Sequence, residues 1–207
     1  MSQTIRSIGG AQAASRIDPR STALVLIDYQ NEYFTGRLPL PEGEAALRKA
    51  AALMHFADRH GIAVFHVQHV NGAASPLFAD GSPAAGIHSA LAPQAWHRVL
   101  RKTTVSTFAS TDLDAQLRAL GVRTLIVAGL MTHMCVSTMV RDARQFGGDR
   151  NYSVLLAADA CATRDIDGWD GGVVSHWVLH GATLTALSDN FAEVLPTAAI
   201  LDLPVGE

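Results

Sequence analysis

The sequence predicts an α/β fold built on a parallel sheet covered by helices on both faces. Three observations predict it. Strand-like and helix-like patterns alternate along the whole chain, as they do when strands are joined by helical crossovers. The strand-like runs are continuously apolar, the signature of strands buried on both faces. Several polar residues with useful chemistry fall at the carboxyl ends of those runs, where open α/β sheets form their sites.

The first strand is Thr22-Ala23-Leu24-Val25-Leu26-Ile27, ending at Asp28. A helical stretch begins around Pro41-Glu42-Gly43-Glu44, with Leu47, Ala51, Met54 and Ala57 at helical spacing, and Gly61 suits its end. Ile62-Ala63-Val64-Phe65-His66-Val67 reads as the second strand. From His69 to Trp96 the chain is rich in Gly, Ala, Ser and Pro and has no sustained period; a loop of that length is often functional. Arg98 to Lys102 forms a short strand. Thr111-Asp112-Leu113-Asp114 resembles a capping box that opens a helix through Leu117 and Leu120, closed by Gly121. Thr124 to Ala128 is the fourth strand, followed by a helix from Cys135 to about Phe146. Tyr152 to Ala157 is the fifth. A helix near Gly172–His180 and a last strand at Ala182–Leu187 complete the series. With no repeat or linker, residues 1–207 read as one domain, with 1–20 as a peripheral N-terminal segment.

Composition excludes several functions. Of 207 residues, 48% are hydrophobic and 17% charged, which suits a packed globular chain rather than a disordered one. The formal net charge of −3 gives no electrostatic case for nucleic acid or an anionic membrane. Residues 1–20 lack a signal-peptide core, and no window has the apolar length of a membrane span. The two cysteines, Cys135 and Cys161, show no CxxC or zinc-type spacing, so reduced thiols and a cytoplasmic location are expected.

Cys135 stands after a buried strand, a Gly and a short turn, in Val127-Ala128-Gly129-Leu130-Met131-Thr132-His133-Met134-Cys135-Val136. At a helix start, unpaired N–H groups and the helix dipole favour an anion, which is expected to lower a thiol's pKa. An ordinary buried cysteine is the alternative. A nucleophilic thiol needs a base and a group to stabilise developing charge. Asp28, with a pKa raised by burial, suits the first role; capping a turn is its other reading. Of 16 Lys and Arg residues only Lys49 and Lys102 are lysines. Lys49 belongs to a solvated helix face. Lys102, at the end of a short strand, offers a compact ammonium that can sit against both a carboxylate and a thiolate.

These segments resemble the isochorismatase-like cysteine hydrolases. The likeness rests on Ala23 to Phe34, on Lys102 with Ser106-Thr107-Phe108, on Gly129 to Val136, and on Ala158-Asp159-Ala160-Cys161-Ala162-Thr163. It covers roughly residues 20 to 200. The resemblance implies a three-layer α/β/α fold with a six-stranded, mostly parallel sheet. It implies an Asp-Lys-Cys triad at Asp28, Lys102 and Cys135, and a cis peptide at Leu130–Met131. It also implies an oxyanion hole from the backbone N–H groups of Met131 and Cys135. The implied chemistry is hydrolysis of a C–N bond in a small amide, ureide or carbamoyl compound through a thioester.

Nicotinamidases of this superfamily carry a metal-binding Asp-x-His after the second strand; here Gln68 and Val70 stand at those positions. His66 and His69 alone make a poor metal site, so neither metal nor cofactor is expected. Gln30, Tyr33, Phe34, His69, Phe108 and His133 are candidates for the substrate pocket, with Trp96 a further aromatic. Arg141 and Arg164 are candidate partners for a substrate carboxylate, and surface salt bridges explain them equally. Cys161 reads as structural. Isochorismatase-type vinyl ether hydrolysis, a non-catalytic binding protein and a thiol redox protein are the competing readings. The expected partners are a small-molecule substrate and further copies of the chain, as a dimer or tetramer.

Overall fold

The computed structural model describes residues 3–148 and 151–206. Its first half contains α1 (Ile5–Ile8), β1 (Thr22–Ile27), α2 (Gly43–His60), β2 (Ala63–His69), β3 (Arg98–Lys102), α3 (Thr107–Ser110) and α4 (Leu113–Ala119). The second contains β4 (Thr124–Leu130), α5 (Ser137–Asp142), β5 (Ser153–Ala162), β6 (Ile166–Asp167), β7 (Val173–Val174), α6 (His176–Asn190), β8 (Glu193–Leu195) and α7 (Thr197–Leu201). Six strands form one sheet in the order β3-β2-β1-β4-β5-β8, and every pair in it is parallel. A separate antiparallel pair, β6–β7, forms between β5 and α6 in the chain.

The alternation of side chains along β1 divides the core. Leu24 and Leu26 join one apolar cluster with Ala46, Leu53 and Met54 of α2 and Ile200 of α7. Ala23, Val25 and Ile27 join the other, with Leu113 and Leu117 of α4, Met139 and Val140 of α5, and Leu187 of α6. Both faces of β1 are therefore dry, which is why its sequence shows no polar alternation. Gly61, at φ 67°, ends α2 in the left-handed conformation that favours glycine, and its N–H donates to the Ala57 carbonyl.

The chain departs from β1 toward β2 and β3 on one side, and continues in β4, β5 and β8 on the other. The boundary between β1 and β4 is the point where strand order reverses, the usual place for a crevice in an open sheet. Asp28 follows β1, and Cys135 lies five residues beyond β4. The long segment between β2 and β3 folds back over the first of these. Asn31 N–H donates to Gly86 O at 2.9 Å and His88 N–H to Tyr29 O at 2.8 Å.

Four elements differ from the sequence reading. Ala182–Leu187 is not a strand but the middle of α6, and the last strand is the three-residue β8. Thr183 and Thr185 looked like strand formers; in the helix their hydroxyls donate back to Leu179 O and Gly181 O at 2.7 and 2.8 Å. The helix expected near Gly172–His180 begins later, after Ser175, whose hydroxyl accepts from Val178 N–H. No capping box forms at Thr111: the Asp114 carboxylate accepts from Tyr152 OH and Gly147 N–H instead. Cys135 does not open the α-helix, because one π-helical turn, Thr132–Val136, precedes α5.

Candidate active site

Three strands deliver Asp28, Lys102 and Cys135 to one point. Asp28 is fully buried, and its own N–H donates to Val67 O at 2.9 Å. It adopts φ 55°, a left-handed conformation uncommon outside glycine that aspartate tolerates better than most residues. Lys102, at the end of β3, is also fully buried. Its ammonium reaches across β2 to lie 2.9 Å from Asp28 Oδ2 and 3.2 Å from Cys135 Sγ. The same ammonium donates to Thr104 O and approaches His69 Nδ1, both at 3.1 Å. A slender arm tipped with a tetrahedral cation can serve this many acceptors; a planar guanidinium cannot.

Electrostatics at this point oppose ionisation of the thiol. Burial, joined by the negative charge of Asp28, pushes Cys135 up to about 12 despite Lys102. The expectation of a thiol acidified by a helix start is thus overturned: the low-dielectric surroundings outweigh the ammonium. Burial also raises Asp28 above the ordinary carboxylate range, with Lys102 and Cys135 opposing. Burial thus opposes ionisation of the thiol and strengthens the affinity of the neighbouring Asp28 carboxyl for a proton.

Met131 and Cys135 bracket the turn after β4. The Leu130–Met131 peptide is cis, and the Met131 carbonyl accepts from Met134 N–H at 3.0 Å. Gly129 pairs with Ile27 in register, bringing the two strand ends into close contact beneath the site.

The pocket candidates separate into distinct groups. His69 touches Lys102, and Asn71 Oδ1, 3.0 Å from His69 Nε2, orients its ring. Tyr33 is buried, packs edge-on against Phe78 and feels the charges of Asp28 and Cys135. His133 is half-buried, with Nδ1 2.6 Å from Thr163 Oγ1. Phe34 lies against His88 at 4.6 Å. Gln30 is buried and held entirely by backbone: its amide NH2 donates to His69 O and Ala85 O, and its carbonyl accepts from His69 N–H. It positions His69 instead of lining a pocket. Phe108 stacks on Phe146 and Tyr152 within the core cluster that also holds Cys135.

Two further candidates lie elsewhere. Trp96 is 66% exposed and donates to Asp58. Arg141 bonds Ser137 and stacks over Phe191 at 4.5 Å. His66 points away from His69 and faces His97, which in turn bonds Asp58. Gln68 donates to Ala85 O, and Val70 is buried. Among the described residues, no three His, Cys, Asp or Glu side chains converge as a metal site would require. A cavity of about 310 Å³ between α2, β5 and α6 is bordered by Cys161, Trp177 and His180 but includes none of the three convergent residues. The sequence reading missed Thr104, Asn71 and Thr163. Thr104 contributes a backbone carbonyl, Thr163 meets His133 across 30 positions of chain, and Asn71, although only two residues from His69, lies where the chain has no regular period to mark it.

Residues 22–199 match the family model described as Isochorismatase domain. The chain is 36% identical to the uncharacterized isochorismatase family protein YddQ of Bacillus subtilis, over 87% of this chain and 99% of that protein. It is 35% identical to the maleamate amidohydrolase of Pseudomonas putida, over 62% of this chain and 68% of that enzyme. Among solved structures, an isochorismatase from Pseudomonas putida KT2440 superposes with a TM-score of 0.88 at 32% identity, covering 97% of this chain and all of the other.

Proposed function

The chain belongs to the isochorismatase family of hydrolases, and we propose that it cleaves the C–N bond of a small amide, ureide or carbamoyl compound, with Cys135 as nucleophile. One observation carries the reading: a single buried ammonium, Lys102, contacts both the thiol and the carboxylate, at 3.2 and 2.9 Å. The likeness to a maleamate amidohydrolase supports the choice of bond.

The reaction follows from the proton inventory. Cys135 is protonated at rest, so its sulfur becomes nucleophilic only as the proton leaves. Asp28, made more basic by burial, takes that proton as sulfur bonds to the substrate carbonyl carbon. The oxygen of the tetrahedral intermediate accepts hydrogen bonds from the N–H groups of Met131 and Cys135. Asp28 then protonates the departing nitrogen, the C–N bond breaks, and ammonia or an amine leaves a thioester. Water attacks the thioester while Asp28 accepts its proton. The acid departs and the proton returns to sulfur. Lys102 holds the carboxylate and the sulfur together throughout and carries no proton across. Vinyl ether hydrolysis calls for no thiol, and the contact between Lys102 and Cys135 favours the amide reading over it.

A screen for ammonia release across small amides, ureides and carbamoyl acids tests the proposal. Cys135→Ala and Asp28→Asn should each abolish turnover, and a rate undiminished in either sinks it. The proposal includes a cytosolic location, supported by two free cysteines, Cys135 and Cys161. Among the described residues no helix is long and apolar enough to cross a membrane. It also includes self-association as a dimer or tetramer, supported by the exposure of Trp169, Val173, Trp177 and Val178; light scattering reads the state.

A further inference from the structure

Lys102 has more acceptors around it than protons to give. An ammonium carries three N–H donors and no lone pair. Four atoms lie within its reach: Asp28 Oδ2 at 2.9 Å, His69 Nδ1 and Thr104 O at 3.1 Å, and Cys135 Sγ at 3.2 Å. Sulfur is the weakest acceptor of the four, so the three protons go to oxygen and nitrogen while the sulfur feels the charge. His69 forms one leg of this tripod if its Nδ1 presents a lone pair.

The surrounding hydrogen bonds fix that lone pair. The Leu77 carbonyl can only accept, and it lies 3.0 Å from Asn71 Nδ2, so the amide NH2 of Asn71 faces it. Asn71 Oδ1 therefore faces the imidazole, 3.0 Å from His69 Nε2, and an amide oxygen can only accept. The ring proton belongs on Nε2, which leaves Nδ1 bare toward Lys102. Asn71 is itself anchored, its N–H donating to Phe78 O at 2.9 Å. Gln30 grips the His69 backbone at both N–H and carbonyl, and the Phe78 ring meets the imidazole edge-on at 5.3 Å. Burial and the Lys102 charge hold the imidazole below its ordinary pKa, with Asp28 and the bonds to Asn71 and Thr104 opposing. The buried Glu32 is occupied elsewhere, accepting from Arg37 N–H and Phe78 N–H at 2.6 and 3.2 Å.

We propose that His69 is a positioning residue: its Nδ1 lone pair, aimed by Asn71, holds the Lys102 ammonium between Asp28 and Cys135. A carboxylate attracts an ammonium far more strongly than a thiol does, and burial strengthens the attraction. Unrestrained, the ammonium closes on Asp28, draws away from the sulfur and weakens the carboxylate as a base. Two neutral acceptors, His69 Nδ1 and Thr104 O, compete with that pull without adding a charge. The inference rests on Cys135 being the nucleophile.

Two measurements test it before any substrate is identified. Two-bond 1H–15N correlations of the 15N-labelled protein near neutral pH read which ring nitrogen carries the proton, the His69 signal being the one lost in His69→Asn. A neutral ring protonated at Nε2 is expected; a proton on Nδ1 overturns the proposal whatever Cys135 does. The second measurement is the rate of Cys135 alkylation by iodoacetamide, read by mass spectrometry. His69→Leu should lower it by about fivefold or more, because the ammonium leaves the sulfur. His69→Asn should keep at least about half of the wild-type rate, since its amide oxygen reaches the place of Nδ1. Asn71→Leu should slow labelling in the wild-type background but not beside His69→Asn, a coupling that a merely structural role for Asn71 does not produce. These last two variants carry the test if His69→Leu does not fold. Undiminished labelling in His69→Leu, or equal effects of Asn71→Leu in both backgrounds, overturns the role of His69 and leaves the nucleophile standing. Failure of wild-type Cys135 to label removes the nucleophile and this inference with it.

Discussion

Adding one methyl group at Gly129 should damage both stability and turnover. A Cβ there would lie 2.5 Å from Ile27 Cβ, 2.8 Å from Ile27 O and 3.1 Å from Ile27 Cα. Two of those atoms are backbone, so no side-chain rotation relieves the clash. Ordinary contact begins near 3.4 Å, so the ends of β1 and β4 must part by about 0.9 Å. That displacement is expected to cost about 3 kcal/mol, the upper range for overpacking. For a domain of this size the melting temperature should fall by roughly 6–12 °C. Ile27 is followed by Asp28, and the turn bearing Cys135 starts from β4, so the same movement separates the proposed base from the proposed nucleophile. A misplacement near 1 Å costs on the order of 100-fold in rate. Gly181→Ala is the control: nothing lies within 4 Å of its added Cβ, and the site is inside α6. There the same change should stabilise the protein by roughly 0.5–1 kcal/mol and leave activity alone. Differential scanning fluorimetry and ammonia release read both. Wild-type melting and turnover in Gly129→Ala would refute the contact argument.

Lys102→Arg should fail nearly as badly as Lys102→Met, each losing roughly 10²–10⁴ in kcat/KM, because a planar fork cannot replace a compact cation held by four neighbours; near-normal turnover in the arginine variant would refute this. The acid limb of kcat/KM should have its midpoint above about 4, since the base works only when deprotonated and burial has raised Asp28. A pH–rate profile with a midpoint lower than that would remove Asp28 as the base. His66, lowered to about 4 by burial and by His97, stays neutral in the folded state while the unfolded chain gains a proton below about 6.5. Stability should therefore fall as pH drops from about 6.5 to about 4, by up to roughly 3 kcal/mol, and His66→Leu should flatten that slope in denaturant titrations.

Legibility in the sequence followed the range of the interactions involved. The central strands could be read because burial on both faces makes them continuously apolar, as in Leu24 to Ile27. Asp28, Lys102 and Cys135 could be proposed together because each follows or ends a strand, and parallel strands share one carboxyl edge. Ala182–Leu187 misled because alternating threonines and apolar residues fit a pleat as well as they fit a helix whose hydroxyls bond back to its carbonyls. β8 was invisible: three residues have no period, and Glu193–Leu195 is a strand only because Leu155–Ala157 lies alongside. The acidity of Cys135 was misjudged for a similar reason. Local sequence advertises a helix start, but the burial of Asp28 beside the sulfur depends on the whole assembly.

The lysine's reach across β2 also makes chemistry a gauge of assembly. Asp28, Lys102 and Cys135 are separated by 74 and 33 positions in the chain, and meet only when β3, β2, β1 and β4 are all in register. A proteolytic half, or an early collapsed state with local helices formed, holds at most two of the three groups and no enclosed ammonium. Recovery of turnover after dilution from denaturant should thus lag behind recovery of helical signal and coincide with the last parallel pairing, which closes loops slowly. On the proposed mechanism an activity assay reports the completed sheet, and a partly folded population contributes silence.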